Sequence, residues 1–260
     1  MMNSLKERNQ HYRDEHIVFD EEPHIYYVNK KPINASVTTL VHNYFPKFDA
    51  DSIIDKMMMG RYWSKSKYFG KTKQEIKDEW KANGLEATTH GTYMHKTIEQ
   101  YYNGWELEHP DTPEFDMFLK FYEDHKNSLQ AYRTEWEIYD EDHDLAGSID
   151  MVFKNLDGTY SIYDWKRTKE IKMKNDWKKY GFDIMNEYHD CNYIHYSLQL
   201  NIYKNILERK YDLQIRDMYL VCMHPNYKSY KKIEVCDLQK EVGIILESRS
   251  EHLLSTSDVN

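Results

Sequence analysis

Apolar residues recur along this chain with two different periods, and the change of period marks out its elements. Residues 16–32, HIVFDEEPHIYYVNKKP, alternate around an Asp-Glu-Glu-Pro turn and predict two short strands. The stretch 35–45, ASVTTLVHNYF, opens β-branched and is then ambiguous. An acidic cap opens a predicted helix over 49–63. A second short helix is predicted over 73–83, ending at Asn83-Gly84. In THGTYMHKTIEQYYNG (89–104), Met94, Ile98, Tyr101 and Tyr102 mark one apolar helical face, and Asn103-Gly104 stops the helix. Phe115, Phe118, Leu119 and Tyr122 do the same for a helix over 112–128.

The period then shortens to two. AYRTEWEIY (131–139), LAGSIDMVFK (145–154) and TYSIYDW (159–165) predict three consecutive antiparallel strands. Helical spacing returns over 195–209, with Leu198, Ile202 and Ile206 as the stripe. Residues 215–225 are almost continuously apolar, as in a buried strand. Residues 230–236 predict a further strand near an edge, and 237–254 an amphipathic helix. Helix, three strands, helix, strand is the order of an α/β fold, a central mixed sheet with helices packed on it. One domain over 1–260 is expected: an N-terminal elaboration (1–88), a core (89–236) and a C-terminal helical segment (237–260).

Two acids disturb the strand pattern. Asp150 and Asp164 sit inside predicted strands, where acids are disfavoured. Lys166 is two residues past Asp164, so both side chains share a face. If Leu156-Asp157-Gly158 is a three-residue hairpin loop with Gly158 left-handed, residue 155 opposes 159 and residue 150 opposes 164. Both carboxylates then lie on one face, with Cβ atoms about 5 Å apart. A two- or four-residue loop separates them. Close carboxylates repel unless a cation lies between them. Oxygen ligands suit Mg²⁺ or Mn²⁺, which activate water and stabilise charge on a phosphodiester. A neighbouring lysine orients that water or meets the developing charge. The competing explanation is a solvent-facing strand edge. Asp176-Trp177-Lys178 repeats the Asp164 tripeptide letter for letter, but in a polar stretch without strand alternation, and reads as solvated surface.

Other residues fall near this constellation. His95 and Glu99 are four apart on a helix and face the same way. His95 is a candidate imidazole ligand, which favours Mn²⁺ as well as Mg²⁺. Glu135 lines the same cleft or is an outward-facing charge. Gln199 and Tyr203 flank the stripe of the 195–209 helix.

Composition narrows the class. The net charge of −9 argues against a generally basic nucleic-acid binder, but residues 166–179 hold seven Lys/Arg. Beside a site, that stretch is a candidate strand-guiding surface; otherwise it is a solvated run. Three cysteines, Cys191, Cys222 and Cys236, supply neither a disulfide framework nor the four ligands of an iron–sulfur cluster. No apolar run approaches a membrane span, and residues 1–8 lack a signal-peptide core, so a soluble intracellular protein is expected.

Gly91 to His95, Gly147-Ser148-Ile149-Asp150, Asp164-Trp165-Lys166, and Gln199 to Tyr203 form an ordered set. With that set the chain resembles the PD-(D/E)XK nuclease superfamily, specifically its RecB-type branch. The resemblance covers 91–203 and implies a restriction-endonuclease-like core. It implies that His95, Asp150, Asp164 and the Trp165 carbonyl bind the metal, that Lys166 is the catalytic lysine, and that Gln199 and Tyr203 border the site and the DNA. Arg167 falls in the adjoining basic stretch as a DNA contact. Ser36, Thr38 and Thr39 resemble a Ser/Thr element of mitochondrial-type and viral members and are candidate phosphate contacts. The missing cysteine ligands favour the cluster-free exonucleases, such as the mitochondrial genome maintenance type and its viral or phage relatives. The expectation is a Mg²⁺/Mn²⁺-dependent DNA exonuclease, with any helicase or recombination partner on a separate chain. The alternatives are a flap or branch endonuclease and a catalytically silent DNA-binding protein.

Overall fold

The computed structural model describes residues 3–257, so Met1, Met2 and the last three positions of the expected C-terminal segment lie outside the described residues. The chain opens with helix α1 (Leu5–Arg8) and three short strands, β1 (Ile17–Asp20), β2 (Ile25–Val28) and β3 (Lys31–Pro32). These strands form a small antiparallel sheet of their own. Strand β4 (Ala35–Ser36) runs directly into α2 (Val37–Asn43), which resolves the ambiguous stretch. The Ser36 side chain accepts from the Thr39 N–H and so caps α2. Helices α3 (Ala50–Met58), α4 (Lys73–Asn103) and α5 (Pro113–His125) follow. Next come β5 (Leu129–Asp140), β6 (Leu145–Asn155), β7 (Tyr160–Lys166), α6 (Asn192–Lys210), β8 (Ile215–Cys222), β9 (Lys231–Glu234) and α7 (Gln239–Ser257).

Helix α4 corrects two expectations. The helices predicted over 73–83 and 89–103 are one helix of 31 residues, about 46 Å long. A capping box between Thr72 and Glu75 starts it, and Gly104, left-handed at φ 68°, ends it. Asn83-Gly84 does not interrupt it. Residues 81–88 are all exposed, and a Cβ at Gly84 would meet nothing within 4 Å. A glycine there costs only about 1 kcal/mol, too little to break a helix anchored at both ends. The expected seam between 88 and 89 therefore falls inside a helix. Segment 1–88 also supplies β4 to the main sheet.

That sheet is mixed. Strand β6 is its hub, antiparallel to β5 along its length. Its other edge is shared: Met151–Lys154 pair with β7, and Leu145–Ala146 pair in parallel with β4. Gly147 to Asp150 pair with neither, which opens a gap between β6 and β7. Strand β8 runs parallel to β7, joined through α6, and β9 forms an exposed edge beyond it. Helices α2, α6 and α7 cover one face around Val37, Leu198, Ile202 and Val242. Helices α4 and α5 cover the other around Ile98, Phe118, Phe121 and Trp165.

The facing of β5 and β6 switches in mid-strand. Trp136 and Ile149 pack on the α6 side. Two residues away, Met151 packs on the α4 side, and Thr134 accepts from Asn103 of α4. Simple alternation would put each pair on one face. Glu135, at φ 40°, and Asp150 lie between them, where the alternation breaks.

Candidate active site

The hairpin register is the one the sequence suggests. Met151 opposes Tyr163, and the ladder runs from there to Lys154 opposite Tyr160. Asn155 N–H donates to Thr159 O at 2.8 Å, and Gly158 has φ 87°. Continued one step, this register sets Asp150 against Asp164. The strands have parted at that point, and the Trp165 N–H donates to Asp150 Oδ2 at 2.8 Å. A carboxylate thus takes the donor that a regular ladder would have used.

Helix α4 brings His95 across this gap. Its Nε2 lies 2.9 Å from the Trp165 carbonyl oxygen. A carbonyl only accepts, so the network assigns the hydrogen to Nε2 and leaves Nδ1 as the free position. Nδ1 faces Glu135 Oε1 at 3.5 Å and Asp150 Oδ2 at 3.6 Å. A lone pair pointing at two carboxylates is unfavourable unless a proton or a metal ion lies between them. Burial alone pushes the imidazole pKa down, but Asp150 and then Glu135 outweigh it and push it up to about 9.

Ligand atoms of His95, Glu135 and Asp150 lie within 4.8 Å of one another. One imidazole and two carboxylates fit Mn²⁺ or Mg²⁺, and a backbone carbonyl orienting the imidazole is a common support for a ligating histidine. Glu135 joins this group because its backbone is left-handed, a strained conformation for a glutamate. Asp164 is not a member of the group. Its Oδ2 lies 2.7 Å from Lys166 Nζ, so the ammonium already faces this buried oxygen. Burial, opposed by Lys166 and reinforced by Asp150, pushes Asp164 up to about 6. For Lys166, burial favours the neutral amine, but Asp164 and Asp150 outweigh it and raise its pKa. Its Nζ also lies 4.5 Å from the centre of the Tyr196 ring.

A cleft of about 720 Å³ opens beside His95, walled by α4 on one side and by Phe19 and Tyr26 of the small sheet on the other. Glu21, Glu99, Glu135 and Glu137 line it, with Lys96 as its one lysine. Burial, then Glu135, raises Glu99 to about 7. This wall attracts cations rather than phosphates.

The remaining expected residues divide. Gln199 Nε2 donates to Tyr203 Oη at 3.1 Å, and Tyr203 packs against Gly147 at the gap. Arg167 is a correction: its side chain is only 9% exposed and is held by Glu114 at 2.6 Å and Glu86 at 3.3 Å. It ties β7 to α4 and α5, and its charge is already used. Ser36 and Thr39 spend their hydroxyls on each other, at 2.9 Å, in the cap of α2. Thr38, directly before Thr39, is exposed. Tyr196 was not anticipated. Its signal was its place three residues before Gln199, on the same side of α6.

No family model matches the chain, and no curated protein does. Among solved structures, the crystal structure of SSO0001 aligns over 94% of this chain and 80% of its own, with 14% identity and a TM-score of 0.34. No helix among the described residues is long and apolar enough to cross a membrane.

Proposed function

We propose that the chain is a Mg²⁺- or Mn²⁺-dependent deoxyribonuclease of the PD-(D/E)XK type on a restriction-endonuclease-like core, acting as an exonuclease on DNA ends or single strands. One observation carries this reading. At a gap between two strands, His95, Glu135 and Asp150 converge beside a buried Asp164–Lys166 pair. Converging carboxylates call for positive charge between them, which a proton on His95 or a bound metal ion supplies.

His95 Nδ1, Glu135 and Asp150 would hold the ion, and Asp164 is paired with Lys166 beside them. When bound, the ion supplies a Lewis acid and a water of lowered pKa. His95 is kept in one tautomer by the Trp165 carbonyl, so Nδ1 stays open to a ligand. Asp150 is fixed by the Trp165 N–H. Lys166, held between Asp164 and the Tyr196 ring, stays an ammonium and meets negative charge on the phosphate instead of taking a proton.

The test uses end-labelled linear and closed circular single-stranded DNA, and linear duplex, with Mg²⁺ or Mn²⁺. Stepwise loss from ends with intact circles supports the exonuclease. Cut circles replace it with an endonuclease. No metal-dependent turnover on any substrate overturns the reading in favour of a silent binding protein.

A further inference from the structure

We infer that the loop between β7 and α6 is a guide for single-stranded nucleic acid, in which Trp177 stacks on an unpaired base. This rests on the nuclease reading above and names its substrate class. Trp177 is 85% exposed, unusual for the largest apolar side chain. Met173, Tyr180 and Phe182 in the same loop are 50%, 41% and 48% exposed. Between them stand Lys174, Lys178 and Lys179, all exposed and none in an ion pair among the described residues. Exposed rings among free lysines suit a single strand, whose bases offer flat faces and whose backbone offers phosphates. A duplex hides those faces.

The loop is built to hold this surface still. Asn175 Oδ1 accepts from the Trp177 N–H at 2.8 Å, and its Nδ2 donates to Asp190 O at 2.7 Å. Asn192 accepts from the Lys172 N–H at 2.8 Å and donates to Glu170 O at 2.9 Å. Tyr227 Oη donates to Lys169 O at 2.7 Å. Lys178 takes φ 52°, a left-handed turn beside the ring. The Asn175 and Asn192 bonds fasten the loop to the start of α6, and the Tyr227 bond fastens it to the segment between β8 and β9. Tyr196, which touches Lys166, lies one helical turn from Asn192, about 6 Å along the axis. Both ends of the loop are therefore anchored at the site: one follows Lys166 directly, the other leads into the Tyr196 turn. The second Asp-Trp-Lys tripeptide thus has a part of its own, played by the ring and not the acid. Asp176 is occupied by Lys172 at 2.7 Å.

The test is binding of oligo(dT) and of a duplex of equal length to the full chain, by fluorescence anisotropy, in a Lys166→Ala background with EDTA to prevent cleavage. Trp177→Ala is expected to weaken oligo(dT) about tenfold, Trp177→Phe to restore most of it, and duplex affinity to stay unchanged. Replacing Lys174, Lys178 and Lys179 together by Ala should make the plot of log affinity against log salt shallower by about two units. Unchanged oligo(dT) affinity in Trp177→Ala, or an equal loss on duplex, overturns the inference. Hydrolysis of bis-p-nitrophenyl phosphate with Mn²⁺, in the Lys166-intact chain, separates the two readings. This small ester has no strand for the loop to guide, so Trp177→Ala should leave its rate unchanged. Absence of that hydrolysis in wild type overturns the nuclease site and leaves the loop to be judged on affinity alone.

Discussion

The ring of Tyr203 rests on the bare α-carbon of Gly147: a Cβ there would fall 2.8 Å from Tyr203 Cε1 and 2.9 Å from its Oη. The residue belongs to the stretch of β6 that pairs with β5 but with neither β4 nor β7, three positions before Asp150. Helix α6 can approach the site this closely because that side chain is missing. Gly147→Ala should therefore cost about 1–3 kcal/mol by overpacking. Combined with Tyr203→Ala, which clears the space, the losses should fall short of additive by more than about 0.5 kcal/mol. Urea denaturation of both singles and the double measures this. Strict additivity would show that the contact does not constrain the fold.

Glu135 should separate stability from activity. At φ 40° it carries backbone strain that glycine does not feel. Glu135→Gly is expected to leave stability unchanged or raise it by up to about 1 kcal/mol, while metal-dependent cleavage falls at least tenfold. Glu135→Gln should lose cleavage without that gain. Thermal melts and a Mn²⁺ titration of activity distinguish the two variants.

The two Asp-Trp-Lys tripeptides should respond in opposite ways. Asp164 is 3% exposed beside Lys166, and Asp164→Ala should lower cleavage by about 10³-fold with the fold retained. Asp176, at a 72% exposed side chain, pairs among the described residues only with Lys172, and Asp176→Ala should stay within about twofold of wild type. A severe loss at Asp176 would move the site to the second tripeptide.

The buried pair Asp14–Arg133 gives the acid limb of stability. Burial raises the Asp14 carboxyl, but its bond from Arg133 at 2.7 Å, then bonds from the His11 backbone and from Trp136 at 2.9 Å, outweigh it and hold the pKa below the usual carboxylate value. Its folded pKa is lower than its unfolded one. The stability it contributes is thus present above the unfolded value and is lost as pH falls through the folded one. Asp14→Asn should cost about 3–5 kcal/mol at pH 7, because Arg133 is left buried and unpaired, and should flatten the acid limb. Denaturant midpoints at pH 7 and pH 3.5 test both statements.

Gly84 is the simplest case. A Cβ there meets nothing, inside an exposed stretch of α4. Gly84→Ala should raise stability by about 0.5–1 kcal/mol, read as a higher melting temperature.

Local physics in the sequence determined much of this protein. Period-two alternation located β5, β6 and β7, and the sequence tied the β6–β7 register to one condition, a three-residue loop with Gly158 left-handed, which the structure meets. The acids that broke the pattern pointed to Asp150, Asp164 and Lys166. Tertiary structure alone decided the rest. Whether Asn83-Gly84 ends a helix depends on what anchors the helix on either side. Whether Arg167 offers its charge depends on Glu114 and Glu86, far away in the chain. Glu135 and Tyr196 reach the site through a left-handed kink and a helix crossing, neither of which leaves a periodic trace. A sequence pattern records which face a residue takes in a regular element, and the candidate site is built where β5 and β6 stop being regular.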